Sequence, residues 1–133
     1  MKHPRFTWWD PIMVVPWLGE AIVRLFSSPL VEIRVGMIDD DIHAIGGLRY
    51  CLEGVREGFL FLSPQAHLFP RLIVGIKEEW GKMITPYRRV QFVVNIRRPM
   101  DIRFAYYLGM QPEGIMRGAG MRGEDMIMFA RVQ

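Results

Sequence analysis

The chain has 133 residues, half of them hydrophobic, with 17 Lys and Arg against 14 Asp and Glu. That length and balance suit one compact domain and exclude a disordered chain. The mild net charge of +3, with no basic run interleaved with aromatics, permits an anionic ligand such as a phosphate and makes no case for nucleic acid.

Residues 1–15, "MKHPRFTWWDPIMVV", hold two tryptophans and two prolines without a period, and predict an irregular arm. Pro16 suits the first turn of a helix running to about Ser27, with Leu18, Ile22, Leu25 and Phe26 on one face. The apolar run "PIMVVPWLGEAIV" is short and interrupted by Pro16, Gly19 and Glu20, so neither a membrane span nor a secretory leader is expected.

"VEIRVGM" alternates Val31, Ile33, Val35 and Met37 with mostly polar or small neighbours, the pattern of a half-buried strand. Asp39, Asp40 and Asp41 come next. Their consecutive spacing does not fit a calcium loop and predicts a solvated hairpin tip. "IHAIGGLRYC" returns as a second strand, in which Gly46 and Gly47 predict a bulge or a close backbone approach. The lone cysteine, Cys51, cannot form an internal disulfide, fits a reducing compartment, and reads as a small buried apolar side chain. "GFLFL", residues 58–62, is a continuous apolar run expected of a strand covered on both faces.

After "SPQAHLFPRL", Pro70 predicts the first position of a helix. Leu72, Ile73, Ile76, Trp80, Met83 and Ile84 form its apolar stripe, and Lys77, Glu78, Glu79 and Lys82 are expected to face water. "VQFVV", residues 90–94, is another expected buried strand. Pro99 opens a further helix that ends on Gly109, and "GIMRG" and "DMIMFARV" predict two strands joined by the glycine-rich "GAGMRG". The ten methionines either fill gaps or make an adaptable surface. With neither repeat nor linker, residues 1–133 predict a single mixed α/β domain: an arm and short helix in residues 1–30, and a core in residues 31–133. The strand–helix–strand unit from residue 58 to 94 is expected to be parallel and right-handed.

One junction carries more information than the rest. In "FAYYLGMQPEGIMRG" a helix stops at Leu108 and Gly109, the bulky Met110 follows, and a strand starts at once at Gln111, Pro112, Glu113 and Gly114. Together with "EDMIMFARV", this resembles the C-terminal segment of the GNAT superfamily of acetyl-CoA-dependent N-acetyltransferases. The element order from about Val31 to Val132 resembles that family too. "FLFLSPQAHLFPRLIVGIKEEW" and "VQFVVN" are similar to the small acetyltransferase-like proteins of tailed bacteriophages.

The resemblance implies a centrally splayed sheet and acetyl-CoA in the gap between the strands at residues 58–62 and 90–94. It implies cofactor contacts from Leu60, Phe61, Leu62, Ser63, Phe69, Arg71 and Asn95. The family's glycine-rich phosphate signature is absent from "SPQAHLFPR", where Arg71 offers compensating charge. The family's acid, a tyrosine in the last helix, falls on Ala105 by position; Tyr106 could serve after a register change, and Glu57, His43 or a water chain could take the amine's proton. His43 and His67 otherwise read as ordinary hairpin and loop residues.

Two functions are compatible with this resemblance. One is acetyl transfer from acetyl-CoA to an amine. The other is a catalytically inactive GNAT-fold assembly protein of a phage virion, docking a protein partner through residues 1–30 and the Met-rich C-terminal hairpin. The implied location is the bacterial host cytoplasm or the virion.

Overall fold

Among the described residues, seven strands form one sheet in the order β1-β2-β3-β4-β5-β7-β6. The computed structural model describes residues 3–10, 13–25 and 28–133, and the backbone alone for Ala21 and Leu25. In chain order the elements are β1 (Pro4–Trp8), α1 (Glu20–Leu25), β2 (Val31–Ile38), β3 (Asp41–Leu52), β4 (Val55–Leu62), α2 (Pro70–Ile84), β5 (Arg89–Asn95), α3 (Pro99–Tyr107), β6 (Gln111–Met116) and β7 (Met126–Val132). A 3-10 turn, Ala66–Leu68, precedes α2. All neighbours are antiparallel except β4 and β5, which are parallel as expected of the strand–helix–strand unit. This is the mixed, centrally splayed sheet that the sequence implied.

The first residues are not an irregular arm. "PRFTW" pairs along β2, from Pro4 opposite Ile38 to Trp8 opposite Arg34. It is an edge strand, tied on one side only, so its sequence needs little alternation. Phe6 on it meets Gly36 and Gly75, where glycine lets α2 lie close. The helix α1 starts at Glu20, later than Pro16 suggests. The expected helical contacts of Leu25 and Phe26 and the stop at Ser27 lie outside the described residues.

The sheet has two apolar clusters, one on each face. On one face α2 and α3 cover Leu48, Val90, Val94 and Phe129, with Leu72, Ile76, Trp80 and Ile84 from α2 and Ala105 and Leu108 from α3. On the other, Val15, Trp17, Leu18 and Ile22 cover Ile33, Val35, Ile45, Phe59 and Phe61. Among the described residues, this second cover reaches only as far as β4. Val93 of β5 is therefore 45% exposed, so "VQFVV" is not buried throughout. The apolar stripe of α2 lies as its spacing predicted, but Glu79 does not face water. It pairs with Arg34, whose guanidinium lies 4.4 Å from the Trp8 ring centroid.

The Asp39–Asp41 turn is a hairpin tip, with Asp39 at a φ of 54°. At Gly47 a side chain would strike the Glu32 carbonyl and the Phe59 ring, so this glycine serves close approach. The bulges of β3 fall elsewhere. Its register slips between Ala44 and Ile42, where His43 is the extra residue, and between Tyr50 and Leu52, where Cys51 is. That second bulge at the strand's end turns Cys51 outward. It is exposed, against the expectation of a buried thiol.

The Gly109 junction is a Schellman motif. The Gly109 N–H donates to Tyr106 O at 2.9 Å, and the Met110 N–H to Ala105 O at 3.1 Å. Gly109 sits at a φ of 87°, and Met110 is fully buried beside Ala105 in the helix-covered cluster. Among the described residues, no helix is long and apolar enough to cross a membrane.

Candidate functional site

The parallel ladder between β4 and β5 has only three rungs: Val55 opposite Arg89, Arg56 opposite Val90, and Glu57 opposite Gln91. β4 then runs on to Leu62 and β5 to Asn95 without pairing to each other. A sheet interior with an open ladder must satisfy its backbone groups some other way. Alternation says which groups these are. Gly54 O accepts from Arg89 N, at β5, whereas Ser63 N donates to His43 O, at β3. Even-numbered residues of β4 therefore turn their backbone to β5, and odd-numbered ones to β3. Above the last rung, the amides and carbonyls of Leu60 and Leu62 face the gap. Val93 and Asn95 do the same from β5.

The closed end of the gap is floored by aromatic rings. A side chain at Gly58 would strike Trp80, and the Phe92 ring centroid lies 5.9 Å from Trp80 and 6.1 Å from Phe129. Glycine at 58 is what lets the indole tuck under the fork. The indole is buried, and its Nε1–H has no hydrogen-bond partner among the described residues.

At the open end, the extra residue in β3 brings His43 under the turn after β4. His43 Nδ1 lies 2.7 Å from the Oγ of buried Ser63, and its ring centroid 4.9 Å from Phe69. Phe69 is the N-cap of α2 and gives no side-chain cap. The helix start is short of donors. Pro70 has no N–H, the Leu72 N–H is taken by Phe69 O, and the Phe69 N–H by Ala66 O. Arg71 sends its guanidinium to His3, 2.8 Å away, on the β1 side of α2.

The sites implied by resemblance thus divide. Leu60, Leu62, Ser63, Phe69 and Asn95 border the gap or the turn above it. Phe61 puts its ring into the cluster on the α1 face, and Arg71 points off toward β1. Asn95 Oδ1 accepts from the Arg97 N–H at 2.9 Å. Tyr106 is 52% exposed and sets its ring edge on Phe129 of β7, with centroids 5.4 Å apart. Tyr107 turns instead toward α2, where Lys77 Nζ lies 4.8 Å from its ring centroid. Ala105, at the family's acid position, is buried in the core.

Glu57 sits on the last rung, on the same face as Phe59 and Phe61 and opposite to α2 and α3. Its Oε1 accepts from Arg49 Nη2 at 2.9 Å. Beside it, Arg89 Nε donates to Gln91 Oε1 at 2.7 Å, and the same guanidinium holds both oxygens of Glu113, at 2.6 and 3.1 Å. The hydrogen bonds from Arg89 hold the Glu113 carboxyl below the usual carboxylate range. A bulge between Pro112 and Gly114 is what aims Glu113 at this face. The result is a polar row across the sheet at the fork: Arg49, Glu57, Gln91, Arg89, Glu113. Sequence reading missed it. Charged residues in strands look merely exposed until the register sets them side by side.

No protein-family model and no curated protein sequence matches the chain. Solved structures do. A chimera of the Vibrio cholerae spermidine N-acetyltransferase SpeG and hSSAT matches with a TM-score of 0.76 at 9% identity, covering 98% of this chain and 95% of its own. The Vibrio cholerae spermidine/spermine N-acetyltransferase SpeG with manganese ions matches at 0.74 and 10% identity, over 98% and 92%. A dodecameric form of the Vibrio cholerae enzyme in an intermediate state gives 0.76 at 10% identity, over 98% and 94%. At such identities the likeness shows the fold: the chain has the mixed sheet of GNAT acetyltransferases.

Proposed function

We propose that this chain is an acetyltransferase that takes acetyl-CoA into the gap between β4 and β5 and acetylates an amine. The observation that carries this reading is the ladder that ends at Glu57 and Gln91 and leaves the backbone of Leu60 and Leu62 without a strand partner on the β5 side. An extended arm bearing amide groups is the chemistry that such an edge accepts. When bound, the thioester supplies an acetyl group whose carbon forms a bond to the amine nitrogen as its bond to sulfur breaks, the amine's proton going to a base and the thiolate taking one up.

The chain's own residues fit the arm better than the anionic end. Leu60 and Leu62 would hold the amides. Ser63, pinned by His43, and Phe69 would shape the turn above. The helix start offers the Arg71 amide and few other donors, so the phosphates of the cofactor would be weakly held. Glu57, at the fork, would take the proton from the amine. Of the two tyrosines beside Ala105, Tyr107 packs beside Lys77 of α2 and Tyr106 lies over β7. The similarity to phage acetyltransferase-like proteins, and a place in the host cytoplasm or virion, belong to this reading and rest on the quoted segments.

Titration calorimetry with acetyl-CoA is the test. Binding with a Kd on the order of micromolar is expected, together with slowed hydrogen exchange at the Leu60 and Leu62 amides. No binding at millimolar cofactor overturns the proposal. One observation favours a second reading: Ala105, at the acid position, carries no proton to give. In that reading the fold docks a protein partner without catalysis, through residues 1–30 and the hairpin bearing the fully exposed Met121.

A further inference from the structure

We infer that the amine accepted at this site carries a carboxylate next to its ammonium group, so that the acceptor is a zwitterion such as a free amino acid rather than a polyamine. The inference rests on the proposed acetyl transfer only for the chemical step after binding; the recognition itself is read from the polar row at the fork.

Each carboxylate of that row already has a guanidinium. Glu113 is held through both oxygens by Arg89, whose Nε is spent on Gln91, so neither group has much left to give. The other pair is different. Arg49 uses one N–H toward one oxygen of Glu57, and their side chains are 53% and 44% exposed. Among the described residues, Arg49 therefore keeps most of its donor fan, and Glu57 keeps one oxygen.

The order along the sheet is Arg49 on β3, Glu57 on β4, then the gap. A zwitterion fits this order in one direction. Its ammonium meets the free oxygen of Glu57, beside the gap, and its carboxylate meets Arg49, one strand away. Both charges gain a partner without breaking the existing pair. A polyamine finds no such match. One of its ammonium groups can meet the free oxygen of Glu57 as the zwitterion's does, but it brings nothing for Arg49 to hold, and Arg49 and Arg89 repel its further charges. An apolar side chain on the acceptor would lie toward the exposed Val93, across the gap.

The experiment needs no cofactor. Amide chemical shifts of the whole chain are followed while L-leucine, L-leucinamide or spermidine is added. Leucine is expected to shift residues 49, 57 and 91 and to bind about tenfold or more tighter than leucinamide, which lacks only the carboxylate. Arg49→Gln should abolish that preference and Arg49→Lys should keep part of it, both with unchanged spectra elsewhere. Spermidine or leucinamide binding at these residues as tightly as leucine overturns the inference. So does a preference for leucine that survives Arg49→Gln, or leucine producing no shifts there. Leucine bound at the fork with no binding of acetyl-CoA would sink the transferase reading and leave this inference standing.

Discussion

The two halves of the sheet, on either side of the gap, are built differently. β1 to β4 form a wing covered on both faces, by α2 on one and by Trp17, Leu18 and Ile22 on the other. Among the described residues, β5, β7 and β6 form a wing covered on one face only, and every residue of β6 is exposed. Three rungs of parallel ladder join the wings. Side chains add to this connection, with Trp80 from α2 against Phe92 and, behind it, Phe129, and Arg131 of β7 donating to Ile84 O and Tyr87 O. A sheet joined in this way can hold a gap in its middle without falling into two domains, because the helix-covered cluster runs beneath both wings. The contrast also separates roles. The face with α2 and α3 holds the molecule together, and the face left open beyond β4 is where, on the proposed reading, an acceptor would approach.

The largest test of this contrast is Phe129→Ala. The ring is fully buried under the second wing, and its loss should cost about 3–5 kcal/mol by transfer and cavity together. Urea unfolding should still show one transition if the shared cluster joins the wings. Two transitions would mean that the wings are separate units. Gly58→Ala attacks the fork directly. The new methyl meets the Trp80 ring, so about 1–3 kcal/mol is expected from overpacking, with a change in tryptophan emission. Gly109→Ala has free space around it, so its cost should be backbone strain alone, about 1–2 kcal/mol in the same assay.

Smallest is the pH dependence of the exposed Arg89–Glu113 pair. Because the Glu113 carboxyl is held below its ordinary value, its stabilising effect is present above the pKa of an unfolded glutamate. It is lost as pH falls through the depressed value. Glu113→Gln should flatten that part of the acid-unfolding curve, and added salt should shrink the difference between the two proteins.

The sequence shows some of this and hides the rest for physical reasons. The Gly109 junction could be read because a left-handed C-cap demands a small residue, and the bulky Met110 marks the plug behind it. The stripe of α2 could be read because one helix face is buried along its whole length. β1 could not: an edge strand owes its conformation to its neighbour, and "PRFTW" has no period of its own. Nor could the bulges at His43 and Cys51, since either residue fits a regular strand until its partner is known. The gap was implied by resemblance alone. Nothing in "GFLFL" distinguishes a strand paired on both sides from one that loses a neighbour halfway. The polar row was hidden for the same reason, since its members come from four separate strands.

The exposed strand β6 has a bearing on solubility. A bare outer strand invites a second chain to zip onto it and so to seed aggregates. In β6 the second residue is Pro112, which lacks an amide proton, and the third is Glu113 at a bulge. Two of the six positions of β6 are therefore poor templates for an incoming strand, and the bend at Glu113 also blunts the place where copies of the protein would stick together.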